Sequence, residues 1–168
     1  MNGAQDACGS ALVLRALAFA AHKHRAKRRK DAGHSPYINP PIALADLLAN
    51  EAGIGDVEVL CGALLHDTVE DTETTSEELE RHFGPAIAAI VMDVTDDKRL
   101  PKAERKRLQV EHAPHANGKA KLVKLADKIC NLRDIVEAPP RGWPLERRQA
   151  YFDWAKQLVD RIRGTHSG

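Results

Sequence analysis

The chain has 168 residues, 43% of them hydrophobic and 29% charged, and its 25 Lys+Arg against 24 Asp+Glu leave a formal net charge of +1. That length suits one domain with its own core, and the charge balance excludes a bulk electrostatic nucleic-acid binder and a disordered acidic tail. Aromatic residues make up only 4%, so the core must be built from Leu, Ile, Val and Ala, which favours helices over a β-sandwich.

Three cysteines, Cys8, Cys61 and Cys130, are widely spaced and form no CxxC pattern, as expected of reduced thiols with neither a disulfide framework nor a cysteine zinc site. The apolar stretch from Ala11 to Ala21 is interrupted by Arg15 and preceded by Asp6, unlike a signal peptide. No segment approaches the ~18 apolar residues of a membrane span, so the expected address is the cytoplasm, with no membrane partner. Oligomeric state cannot be read from these features.

In chain order, Leu12, Arg15, Ala16, Phe19 and Ala20 open an amphipathic helix running into a basic stretch, which Gly33, Pro36 and Pro40-Pro41 turn into a loop. A second helix is expected from Ile42 to Glu51, ended by Gly53 and Gly55. Asp56 is placed to cap a third helix through Leu60, Leu64 and His66. Thr75 and Glu78 stand in capping-box register for a short helix to Phe83, and Gly84-Pro85 stops it and starts another through Ile87, Ile90 and Val91. Pro101 begins a charged helix to about His112. A helix near Lys119 to Glu137 follows, then one opened by Pro144 that carries Tyr151, Phe152, Trp154, Leu158 and Ile162. The expectation is one all-α domain of about eight helices over residues 1–168, with a core from about 12 to 165.

Two helices carry candidate chemistry. In His66-Asp67-Thr68-Val69-Glu70-Asp71, His66 lies one turn from Glu70 and Asp67 one turn from Asp71, so four polar groups crowd the end of an otherwise apolar helix. Grouped carboxylates are costly to bury without a cation; a divalent metal resolves the conflict, and imidazole with carboxylate oxygens suits Mn, Fe, Zn or Mg. The plainer alternative is a capped helix end with Glu70 and Asp71 in water. On a distant helix Asp127, Asn131 and Asp134 fall at i, i+4 and i+7 beside a stripe of Leu122, Leu125, Ile129 and Leu132. A salt bridge from Asp127 to Lys124 or Lys128 explains that pattern equally well. The run from His22 to Lys30 holds six Lys or Arg in nine positions; it reads as a solvated helix face or as a phosphate-binding surface, since Arg forks match phosphate oxygens. Of the other histidines, His22, His24, His82, His112 and His115 are expected at the surface.

Taken together, Arg28-Arg29-Lys30-Asp31, the Gly33 to Asn39 loop, His66-Asp67 with Glu70-Asp71, Thr95-Asp96-Asp97-Lys98, Leu125-Ala126-Asp127-Lys128 and Asn131-Leu132-Arg133-Asp134 resemble the RelA/SpoT-type hydrolases of the HD superfamily. The resemblance is to their small stand-alone metazoan branch and runs from about Leu12 to Thr165. It implies an HD-domain fold and manganese-dependent removal of the 3′-pyrophosphate of (p)ppGpp, giving GDP or GTP, with NADPH 2′-phosphate as a further possible substrate. It assigns His66, Asp67 and Asp127 as metal ligands and Glu70 and Asp71 as the pair that orients and deprotonates water. Arg29, Lys30, Lys102, Asn131, Arg147 and Tyr151 are assigned to the nucleotide.

One position departs from the pattern. Where the family has Asn-His-Pro, with the His as first metal ligand, this chain reads Asn39-Pro40-Pro41, and proline offers no donor nitrogen. The residues therefore allow a hydrolase with a weakened or rearranged site, in which water or His34 fills the place. The alternative is a catalytically silent nucleotide-binding protein that keeps the basic pocket without the chemistry.

Overall fold

Nine α-helical segments are present among the described residues of the computed structural model, which are 2–28, 34 and 36–167, with side chains described from Cys8 onward. They are α1 (Asn2–His24), α2 (Asn39–Asp46), α3 (Val57–Leu65), α4 (Thr68–Asp71), α5 (Ser76–Phe83), α6 (Pro85–Val94), α7 (Lys102–His112), α8 (Gly118–Glu137) and α9 (Leu145–Asp160). The all-α expectation holds: among the described residues the β pairing is an isolated bridge between Arg28 and Pro36. No helix there is long and apolar enough to cross a membrane.

Local signals account for most boundaries. The Asp56 carboxylate accepts from the amides of Glu58 and Val59, Thr75 from Glu78, and Asn117 from Lys119, satisfying amides the first turn leaves unpaired. Gly84, at φ 87°, ends α5, and Pro85 starts α6. Three boundaries differ from expectation. α1 begins at Asn2 rather than near Leu12. The second helix begins at Asn39, because proline is favourable in a first turn, and it continues as a π-helical turn, Leu47–Glu51, in which the Ala52 amide reaches back to the Leu47 carbonyl. The helix expected to run through His66 stops at Leu65 and resumes at Thr68.

α3 is the central element. Val59, Cys61, Gly62, Ala63, Leu64 and Leu65 are all buried, and all but Gly62 divide between two hydrophobic clusters. One packs Cys61, Leu64 and Leu65 with Ala16, Ala20, Leu79, Phe83, Ile87 and Val91. The other packs Val59 and Ala63 with Leu44, Leu47, Leu48, Ile90, Ala120, Val123 and Ala126. The face of α8 that meets this core is therefore Ala120, Val123 and Ala126, whereas the longer Leu122, Leu125 and Leu132 are half-buried and Ile129 is 39% exposed. Small side chains let α8 approach α3 closely. A Cβ added at Gly62 would lie 2.6 Å from Ile90 Cγ2, so the α3–α6 crossing depends on that glycine.

This close approach gives a measurable coupling. Gly62→Ala gains helix propensity of up to ~1 kcal/mol but overpacks Ile90 at ~1–3 kcal/mol. In urea unfolding it should destabilise the wild type and become neutral or stabilising in an Ile90→Ala background. Equal effects in both backgrounds would contradict the close-crossing account.

Candidate active site

The break after Leu65 presents the acidic residues. Thr68 Oγ1 donates to the Leu65 carbonyl at 2.7 Å and Thr72 Oγ1 to the Thr68 carbonyl at 2.6 Å, so side-chain hydroxyls satisfy carbonyls at the interruption. The Asp71 amide still reaches the Asp67 carbonyl at 2.9 Å, which preserves the one-turn spacing of the two carboxylates.

His66 is 7% exposed, and its Nδ1 lies 2.7 Å from the Ala63 carbonyl. A carbonyl only accepts, so Nδ1 carries the proton and Nε2 faces the acids: Asp67 Oδ1 at 3.2 Å and Asp127 Oδ1 at 3.9 Å. Burial opposes a charged imidazole, but Asp67 and Asp127 outweigh it and push the pKa up to about 9. The donor set suits a divalent metal in kind: one imidazole with its second nitrogen fixed by a backbone carbonyl, and two carboxylates. It is not a closed cage, since among the described residues no three such donors already surround a common point. Asp127 Oδ2 is held by Lys128 Nζ at 2.7 Å and Oδ1 accepts from Asn131 Nδ2 at 2.8 Å. Burial raises the Asp127 pKa, yet Lys128, His66 and Asn131 together hold it below the usual carboxylate range. Of the two salt bridges that the sequence allowed for Asp127, the one with Lys128 forms.

The acid pair diverges. Burial pushes Glu70 up to about 7, although its Oε1 accepts from the Asp96 amide at 2.7 Å. Asp71 is pulled the other way: burial is outweighed by Lys98, by Tyr37, whose hydroxyl stands 2.7 Å from Oδ2, and by Lys27, whose Nζ is 3.6 Å from Oδ1. Neighbouring carboxylates with opposed pKa shifts suit opposed roles, one exchanging a proton near neutrality and one fixed as an anion. The Thr95 to Lys98 block belongs here, because it supplies both the amide on Glu70 and the ammonium on Asp71.

His66, Asp67, Asp127 and Asn131 line one cleft of about 430 Å³ with Tyr37, Pro40, Glu51, Cys130 and Arg133. Arg133 donates a fork to Glu51 at 2.8 and 2.9 Å, fastening the π-helical turn to α8 along one wall. Pro40 stands in this wall without a donor. His34 is exposed, with φ 48°, and does not line the cleft. Surface placement was wrong for His24: it is 2% exposed, neither ring nitrogen has a hydrogen-bond partner, and its ring packs 5.0 Å from that of Tyr37.

The other nucleotide candidates form a separate group. Tyr151 on α9 approaches Lys128 and Asn131, and burial raises its pKa. Arg147 lies 4.1 Å and Lys102 Nζ 5.9 Å from the Trp143 ring. Lys106, which sequence reasoning missed, has its Nζ 5.3 Å from the Tyr151 ring and 4.6 Å from Trp154. Burial lowers its pKa, and Lys102, Lys128 and Arg147 lower it further. These cations crowd one another around aromatic rings, an arrangement that favours an anion. Lys27, Tyr37, Lys98 and Trp143 were also missed as contributors; the need to balance three grouped carboxylates was the available signal for the lysines, and spacing alone offered none for Tyr37. Arg29 and Lys30 lie outside the described residues.

Comparison with known proteins identifies the family. A profile described as "HD domain" matches residues 16–151. The guanosine-3′,5′-bis(diphosphate) 3′-pyrophosphohydrolase MESH1 of Xenopus tropicalis is 59% identical over 158 residues, covering 94% of this chain and 88% of that protein. The human protein of the same name is 58% identical over 157 residues, with coverage of 94% and 88%. A solved structure described as a metazoan orthologue of SpoT that hydrolyses ppGpp superposes with a TM-score of 0.90 at 51% identity, covering 94% of this chain and 88% of its own. The chain belongs to the HD-domain family, in the RelA/SpoT-type branch that contains the small MESH1 proteins.

Proposed function

We propose that this chain hydrolyses the 3′-pyrophosphate of (p)ppGpp in the cytoplasm, with a divalent cation, preferentially manganese, held by His66, Asp67 and Asp127. The observation that carries the reading is the Nδ1–Ala63 hydrogen bond, which turns His66 Nε2 onto two carboxylates, Asp67 from the turn after α3 and Asp127 from α8. The names and the 58–59% identity of the MESH1 relatives support the choice of substrate.

When bound, the cation supplies an acidified water and polarises the phosphoryl group. Glu70, with its pKa near 7, accepts the proton of the attacking water, and Asp71, held ionised by Lys98 and Tyr37, orients it. Asn131 and Tyr151 lie next to Asp127 and take the ribose or reacting phosphate. Lys102, Lys106 and Arg147 meet the charge further along the nucleotide, and Arg29 and Lys30 are assigned to the nucleotide by family resemblance alone. NADPH, with a phosphate on its ribose, is a candidate second substrate for the same groups.

The donorless Pro40 in the cleft wall favours one competing reading, a nucleotide-binding protein with little or no turnover. The two readings separate in a (p)ppGpp hydrolysis assay. The hydrolase reading predicts turnover that chelation abolishes and added manganese restores; binding without turnover at saturating manganese supports the silent protein. Pro40→His should raise turnover at limiting manganese by roughly 10–100-fold, the scale on which ligand surroundings alter metal sites. Glu70→Gln should lower kcat by roughly 10²–10⁴-fold with little change in KM, and an unchanged kcat would remove Glu70 from the proton step. Lys106→Ala should raise KM and leave kcat near wild type; a fall confined to kcat would contradict its place on the nucleotide.

A further inference from the structure

We infer that Tyr37 is a positioning residue that ties the metal-side carboxylate Asp67 to the water-orienting carboxylate Asp71. This rests on the function proposed above and concerns a side chain to which neither the sequence pattern nor the family resemblance assigns a role.

The geometry is specific. The Tyr37 hydroxyl lies 2.7 Å from Asp71 Oδ2 and 3.2 Å from Asp67 Oδ2. A phenol has one proton, so it donates chiefly to Asp71 and leans on Asp67, holding two like-charged groups at a fixed separation. Asp67 Oδ1 is left facing His66 while Oδ2 is engaged by the phenol. The ring is held from several sides. Its backbone amide reaches the Lys27 carbonyl at 3.4 Å across a loop neck closed by the Arg28–Pro36 bridge. Lys27 Nζ stands 5.5 Å from the ring centroid, and the enclosed His24 ring packs against it. His24, 2% exposed and with both nitrogens unpartnered among the described residues, closes off the side of the phenol ring against which it packs. Hydrogen bonds to carboxylates are stronger in such a shielded place.

The chemical consequence is a division of labour. Asp71 already has Lys98 and Lys27 for charge, so Tyr37 contributes direction rather than neutralisation. Removing the hydroxyl frees Asp67 to rotate its second oxygen towards the cation and frees Asp71 to swing towards its lysines, which changes the chemical step and the metal site but not the nucleotide's distant contacts.

The experiment is Tyr37→Phe, Asp71→Asn and the double variant, each made in the wild type and in the Pro40→His background. Readouts are manganese affinity without substrate, kcat and KM for (p)ppGpp, and the unfolding midpoint. Tyr37→Phe should lower kcat and manganese affinity by about ten- to a hundredfold, with KM and unfolding midpoint near wild type. The double variant should lose no more kcat than the worse single variant. Unchanged kcat and manganese affinity, fully multiplicative losses in the double variant, or a loss that merely follows a lowered unfolding midpoint would overturn the inference. If neither background hydrolyses (p)ppGpp while manganese affinity still responds to Tyr37→Phe, the substrate assignment fails and the positioning role stands.

Discussion

Asp67, Asp71 and Asp127 are brought together at the end of a buried helix, and each must be balanced where water is scarce. Charges in such places are tolerated only when paired and hydrogen-bonded. Here His66 faces Asp67 and Asp127, Lys128 takes the other oxygen of Asp127, and Lys98, Lys27 and Tyr37 converge on Asp71. Those partners come from the loop after α1, from the turn after α3, from the loop after α6 and from α8. Balancing three carboxylates therefore fixes how four parts of the chain meet.

The packing provides the precision this requires. α3 is enclosed on both sides, so its last residue has little freedom, and the chain leaves it directly into His66 and Asp67. Small residues at Gly62, Ala63, Ala120 and Ala126 let α6 and α8 come close, which brings Asp127 within reach of His66. The near-zero net charge conceals this segregation. A cation-rich, aromatic-lined group around Lys102, Lys106 and Arg147 lies on one side of Asn131 and Tyr151, and an acidic centre lies on the other, as a substrate carrying phosphates at two positions needs.

Much of this was legible in the sequence because it is local. Caps at Asp56 and Thr75 and breaks at Gly84-Pro85 and Pro144 depend on a few neighbouring residues, and the i, i+4 relation of Asp127 and Asn131 follows from helical geometry. The pairing of His66 with Asp127 was reached through family resemblance, since 61 positions separate them and no periodicity joins them. What remained hidden is non-local. His24 reads as part of a basic run, yet it is 2% exposed and packs against the Tyr37 ring. The partners of Lys98 and Lys106 exist only once the carboxylate or rings they face are in place. The π-helical turn at Leu47 has no composition signal; it aligns Glu51 with Arg133, a relation that exists only once α8 is in place.

Anomalous diffraction at the manganese edge, from crystals grown with the ion, tests the central claim most directly. The account predicts a single strong peak bounded by His66 Nε2, Asp67 and Asp127, with Asp127 turned away from Lys128 to meet it, and loss of that peak in Asp127→Asn. No peak at saturating manganese, or one remote from these three side chains, would contradict it.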